Sequence, residues 1–118
     1  MRLAYVSTDE VNQYLTVQMA DEHGITVYPV SHVNARRHGG FDALLYDWDS
    51  LSWQRRKEIC VASLASGLCP VAVHGHSLDD ETAEALHQDG IAVFRRLDSK
   101  VFTTLRCFVK RALVASGA

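Results

Sequence analysis

The sequence predicts an α/β fold, a three-layer sandwich in which a parallel sheet lies between two layers of helices. Three observations carry this. Apolar runs alternate with segments of helical period five times along the 118 residues, and such alternation builds a parallel sheet with right-handed crossovers. Nearly every helical segment is followed by glycine, the residue that ends a helix most cheaply in the left-handed conformation. The run Ala43-Leu44-Leu45-Tyr46 is bounded by Asp42 and Asp47 and shows no polar alternation, which reads as a strand buried on both faces. Asp47 then stands at the carboxyl edge of the sheet, where open α/β sheets bind their ligands.

The elements follow in order. Residues 3–6 form an apolar strand. Ser7 and Glu10 have capping-box spacing and lead into a helix on which Val11, Tyr14, Leu15, Gln18 and Met19 recur at helical spacing, apolar except for Gln18, the pattern of a core-facing stripe. Its stop is His23-Gly24. Residues 25–30 are β-branched and aromatic, a second strand, and Pro29 places it at an edge or near its own end. A short helix over residues 31–38 closes at Gly39-Gly40. After the central strand, Asp49, Ser50 and Ser52 are N-cap candidates for a helix through Arg55, Ile59 and Leu64 that stops at Gly67. Residues 69–74 are the fourth strand. Ser77 with Asp80 resembles a second capping box before a helix through Ala83 and Leu86, which stops at Gly90. Residues 91–94 are the fifth strand. Asp98 or Ser99 caps the last helix, whose apolar stripe, Val101, Phe102, Leu105, Phe108, Val109, Ala112 and Leu113, is wider than one sheet contact needs; it ends near Gly117. At this length the flavodoxin-like (βα)5 arrangement, strand order 2-1-3-4-5, is the natural choice.

Composition narrows the function. A chain of 118 residues without a linker or repeat is one domain, residues 1–118, with a single core. A net charge of −2 supplies no global field for nucleic acid or an anionic membrane, so neither is an expected partner. No apolar run is long enough to span a bilayer, and no leader is seen; the expectation is a cytoplasmic protein. Cys60, Cys69 and Cys107 have no close metal spacing and read as reduced, mostly buried thiols.

From Asp42 through Asp47 the chain resembles the receiver domains of two-component response regulators: an Asp, four mostly apolar residues, then the phospho-accepting Asp. Pro70-Val71-Ala72-Val73 is similar to the fourth receiver strand, and Ala83-Glu84-Ala85-Leu86 with Gly90 to the helix and glycine before the fifth. The resemblance covers the whole chain and makes Asp47 the candidate phosphoacceptor. It also implies an acidic Mg²⁺-binding pair after the first strand, where this sequence has Ser7 and Thr8, with Asp9 and Glu10 further on. It implies a Thr or Ser after the fourth strand, where this sequence has Gly75, with Ser77 two residues later. The Lys before Pro after the fifth strand is replaced by Arg95 or Arg96, and Phe94 is similar to the switch aromatic. Hydroxyls are poor ligands for a hard cation, and phosphoryl transfer depends on positioning and charge neutralisation.

The expectation is therefore a degenerate receiver, a pseudo-receiver without conventional phosphorylation, without enzymatic activity and without a cofactor, acting on a protein partner. A phosphorylatable receiver that holds Mg²⁺ through Asp9 or Glu10 is the alternative. A third reading uses His74 and His76 as metal ligands, since residues two apart on an extended segment face one way and zinc would take further ligands from Asp47 or Asp49. Trp48 and Trp53, beside Asp47, are either contact residues or a cover over the core. No nucleotide-binding glycine loop or nucleophile elbow is present. The surplus of the last helix's stripe, with Phe94, Arg106 and Lys110, marks the helix through Ala83 and Leu86, the fifth strand and the last helix as the expected interface, for a homodimer or a partner.

Overall fold

The computed structural model describes residues 1–30, 40–65 and 69–115. The sheet has five parallel strands in the order β2-β1-β3-β4-β5. They are β1 (Arg2–Val6), β2 (Thr26–Val30), β3 (Ala43–Asp47), β4 (Val71–His74) and β5 (Ala92–Phe94). Among the described residues the helices are α1 (Glu10–Asp21), α2 (Trp53–Ala65), α3 (Asp80–Gln88) and α4 (Ser99–Ala115), with a 3-10 turn at Trp48–Ser50. The expected helix over residues 31–38 and the stops at Gly39, Gly67 and Gly117 lie outside the described residues, as do the side chains of Cys60, Leu64 and Leu113.

Every residue of β3 is buried, because helices cover both sheet faces. On one face Ala4, Val6, Leu44, Tyr46, Val71 and Val73 pack with Ile59 of α2 and Leu86 of α3. On the other, Leu3, Tyr5, Leu45 and Ala72 pack with Ala20 of α1 and with Val101, Phe102 and Leu105 of α4. The period of two along each strand sends alternate side chains to the two cores. Pro29 sits on the edge strand β2, where a missing donor is tolerated.

Four expectations are corrected. Most of the stripe of α1 does not face the core: Thr16 and Ala20 are its buried residues and Met19 packs half-buried on the core, while Val11, Tyr14 and Leu15, with Val17, are exposed. Polar anchors in the first turn set this rotation, since Gln13 Nε2 donates to the Ser7 carbonyl at 2.7 Å and Asn12 turns toward Asp47. Small Ala20 then lets the helix lie close on the sheet. Ser7 is not the cap of α1; Asp9 is, its carboxylate accepting from Asn12 N at 3.0 Å. Ser77 is not the cap of α3; Asp79 is, accepting from Thr82 N at 2.7 Å. Both serines are spent elsewhere, on the carboxylates described below. Finally, Cys107 is exposed and Cys69 only half-buried; burial nevertheless pushes the Cys69 thiol up to about 11, with the Asp42 charge adding to it.

Gly24 ends α1 at φ 69°, a conformation that costs glycine nothing. Its amide donates to the Asp21 carbonyl at 3.1 Å.

Candidate functional site

The carboxyl ends of β1, β3 and β4 bring Ser7, Asp47 and His74 to one edge of the sheet, and the start of α1 adds Asn12. Asp47 is 1 % exposed, so its charge must be met by protein groups. Two of them meet one oxygen: Ser7 Oγ donates to Asp47 Oδ2 at 2.8 Å and Asn12 Nδ2 donates to the same atom at 3.0 Å. Ser7 is held in turn, since its Oγ accepts from Asp9 N at 3.0 Å. Thr8 faces away from Asp47; its N–H donates to Ser50 Oγ at 3.1 Å and its hydroxyl to the Ser50 carbonyl at 2.8 Å. The first strand is thereby tied to the loop after the third.

The second oxygen, Asp47 Oδ1, is buried without a hydrogen-bond partner. His74 Nε2 lies 3.8 Å away, beyond bonding distance, and instead meets the Tyr5 hydroxyl at 2.6 Å. Burial, reinforced by the Asp47 charge, pushes the Tyr5 phenol well above its ordinary value, so Tyr5 keeps its proton. Burial pushes the His74 imidazole below its ordinary value, against the opposing charges of Asp47 and Asp49. A neutral ring accepting the phenol proton at Nε2 satisfies both groups.

A second carboxylate closes the neighbouring loop. Asp49 accepts from His76 N at 2.8 Å, from Ser77 N at 3.2 Å and from the Ser77 hydroxyl. Burial pushes its carboxyl up, but the Ser77 hydroxyl and the two amides outweigh this and hold it below the usual carboxylate range. Gly75 makes the approach possible. A Cβ there would stand 2.8 Å from Trp48 Cβ and 3.3 Å from an Asp49 carboxylate oxygen, so no threonine or serine fits without a shift. Trp48 is held from the other side by Arg56, whose Nε donates to its carbonyl at 3.1 Å and whose guanidinium lies 4.6 Å from its ring centre.

The expected site residues separate into those that converge and those that do not. Ser7 and Asp47 touch. Thr8 binds Ser50, Asp9 caps α1, and Glu10 is exposed on the first turn. Ser77 serves Asp49 rather than Asp47. Arg95 pairs with Asp80 at 2.8 Å on the surface, and exposed Arg96 lines a shallow groove with Phe94, Asp98 and Lys100. Trp48 is half-buried against the core, a cover, whereas Trp53 is 70 % exposed. His74 and His76 do not form a metal pair. His74 is buried, His76 follows in the exposed turn beyond the strand, and among the described residues no group of three His, Cys, Asp or Glu side chains converges.

The donor set around Asp47 does not fit Mg²⁺ either. A hard cation needs several oxygen ligands. Here a hydroxyl and an amide donate hydrogen bonds into the carboxylate instead, and the first acidic side chain after β1, Asp9, is committed to its helix cap. Tyr5, Asn12 and Ser50 were missed by sequence reasoning. Asn12 carried a signal, as the first-turn residue whose backbone the Asp9 cap engages; Ser50 carried only its place in the loop after β3.

With this geometry in view the chain can be set beside known proteins. It aligns over 97 % of its length with a CheY-like receiver domain protein of Methanospirillum hungatei (TM-score 0.78, 11 % identity, 97 % of that chain). The fold is that of a response-regulator receiver domain. The receiver domain of a putative Luxo repressor protein from Vibrio parahaemolyticus aligns at TM-score 0.77 and 14 % identity, over 98 % of this chain and 94 % of that one. A structure described as adenylate cyclase from Rhodopirellula baltica aligns at TM-score 0.77 and 15 % identity, over 98 % of this chain and 93 % of that one. No protein-family model matches the chain, and no curated protein matches it. At these identities the likeness carries the receiver fold, and the chemistry has to come from the residues themselves.

Proposed function

We propose that this receiver-fold domain is a cytoplasmic signalling module of the pseudo-receiver type, which acts through contact with a protein partner and not through Mg²⁺-dependent phosphorylation. The observation that carries the reading is the occupancy of Asp47 Oδ2, which already accepts from Ser7 and Asn12. An acidic pair at this edge would draw a cation to the carboxylate; a hydroxyl and an amide supply hydrogen bonds and no negative charge. Asp49, held by the amides and hydroxyl of the loop after β4, fixes that loop without a ligand. With Asp49 met on both oxygens and Asp47 on Oδ2 from within the chain, the domain has one resting conformation, and its interactions are governed by partner abundance.

A second reading keeps Asp47 as phosphoacceptor, and the observation in its favour is the unpartnered Oδ1. Incubation with acetyl phosphate and Mg²⁺, followed by intact-mass measurement, separates the two. The proposal expects no phosphoryl adduct. An adduct that disappears in Asp47→Ala would establish the second reading instead.

A further inference from the structure

The rotation of α1 leaves most of its apolar stripe, Met19 apart, unused by the core. Val11 and Tyr14 are each 66 % exposed and Leu15 42 %; at spacings of three and four they share one side of the helix. Gln18 continues the same line, since four residues on from Tyr14 is one further turn. Large exposed apolar side chains gathered on one helix mark an association surface.

The charges around the stripe say what fits it. From residue 3 to residue 35 the chain has no lysine or arginine, and α1 with its flanking residues carries Asp9, Glu10, Asp21 and Glu22. Helix α4 has the opposite character: Lys100, Arg106, Lys110 and Arg111, no acidic residue, and Val114 77 % exposed. The two helices cover the same sheet face side by side. Arg106 Nη1 donates to the His23 carbonyl at 2.9 Å, and the His23 ring stacks on Phe102. Arg106 thus lies on the α1 side of α4. One layer therefore has an acidic, apolar half and a basic half that ends in an exposed valine.

Such a surface is complementary to itself. A two-fold axis that runs along the groove between α1 and α4, parallel to the helices, lays α1 of one copy on α4 of the other and α4 on α1. The other in-plane axis, perpendicular to the helices, would set α1 on α1 and α4 on α4, like charge against like. Isologous two-fold pairing is the commonest route to a homodimer, and charge patterning selects between the two registers. We infer that the α1–α4 face is a homodimer interface in which acidic, apolar α1 of each copy packs on basic α4 of its partner. This deepens the reading of the domain as an interaction module by naming a second copy as one partner. It rests on that reading only there, because acetyl phosphate probes the Asp47 pocket whereas sedimentation probes this face.

The test is sedimentation equilibrium of the wild type and two charge-reversed variants. One is Glu10→Lys with Asp21→Lys and Glu22→Lys, which makes both helices basic; the other is Lys100→Glu with Lys110→Glu and Arg111→Glu, which makes both acidic. All six positions are exposed. The wild type is expected to dimerise, each variant alone to stay monomeric, and an equimolar mixture of the two to recover the dimer, since both α1–α4 contacts are again opposite in sign. Tyr14→Ser, which changes one exposed side chain and no charge, is expected to weaken the wild-type dimer at least tenfold. A wild type that remains monomeric at hundreds of micromolar would overturn the inference. So would variants that dimerise as well as the wild type, a mixture that does not pair, or a Tyr14→Ser dimer of unchanged strength. Dimerisation of both reversed variants would move the interface to the face of α3, β5 and α4.

Discussion

Replacing Asp47 by asparagine should make the domain more stable, which is unusual for a change to a fully buried residue with two good hydrogen bonds. The magnitude follows from the pocket. The carboxylate is 1 % exposed, with both bonds on Oδ2 and none on Oδ1. Burying an ion this completely costs several kcal/mol. Hydrogen bonds to a charged group return roughly 1.5–3 kcal/mol each, and the amide keeps both at roughly 0.5–1.5 kcal/mol each. The substitution therefore gives up about 2–3 kcal/mol of bonding. It removes the ion's desolvation penalty and replaces the unpaired oxygen with an amide nitrogen on the side of His74 Nε2. The balance is a gain of about 1–2 kcal/mol, or roughly 4 °C in Tm per kcal/mol for a chain of this size. Urea unfolding at neutral pH with calorimetry reads both quantities. Asp47→Ala should do the opposite and lose about 2–4 kcal/mol, because the buried Ser7 hydroxyl and the half-buried Asn12 amide both lose their acceptor. An Asp47→Asn protein less stable than the wild type by more than about 1 kcal/mol, at an unchanged m-value, would refute the reasoning. It would mean that a charge compensates Asp47 where the structure places only neutral donors.

Three further outcomes follow from the same edge of the sheet. Gly75→Ala should destabilise by about 1–3 kcal/mol, the range for overpacking a filled site, because the new methyl meets Trp48 Cβ at 2.8 Å; an unchanged urea midpoint would show that the loop yields freely. His74 is held below its ordinary value, so between that ordinary value, about 6.5, and its lower folded value the unfolded chain binds more protons than the folded one. Stability is then fully present above about pH 6.5 and falls as pH drops through this window; urea midpoints against pH should show the slope in the wild type and lose it in His74→Gln, and an equal slope in both would contradict the assignment. Asp49→Ala should raise amide hydrogen exchange at His76 and Ser77 at least tenfold relative to the β3 amides, and protection that survives the change would remove Asp49 as the latch of that loop.

The strand order and the place of Asp47 were legible in the sequence because both follow from patterns with one physical meaning. An apolar run without alternation is buried on both faces, and the residue that ends it lies at the sheet edge. The orientation of α1 was not legible for the same reason that its stripe was conspicuous. Val11, Tyr14, Leu15 and Met19 have core-facing spacing, but Asn12 and Gln13, bound to Asp47 and to the Ser7 carbonyl, turn most of that stripe outward. Tertiary hydrogen bonds from two polar residues outweigh periodicity there. The serines misled in a related way: Ser7 and Ser77 have the spacing of helix caps, yet each lies two residues before the aspartate that is the cap, which frees them for Asp47 and Asp49. The absence of an acidic pair could be read directly from Ser7 and Thr8. The group that takes over its neighbourhood, Asn12, lies one helical turn further on and became visible only once α1 was placed against the sheet.

The central claim is that Asp47 is surrounded by hydrogen-bond donors of its own chain and by no acidic partner, so that the pocket takes up neither a cation nor a phosphoryl group. The most direct test is an amide-spectrum titration of the domain with Mg²⁺ and then with beryllofluoride, following Ser7, Asn12, Asp47, Gly75 and Ser77. The account predicts no saturable shift at any of them up to millimolar concentrations. Saturable shifts centred on Asp47, spreading to Ser7 and to the loop at Gly75 and abolished by Asp47→Asn, would contradict it.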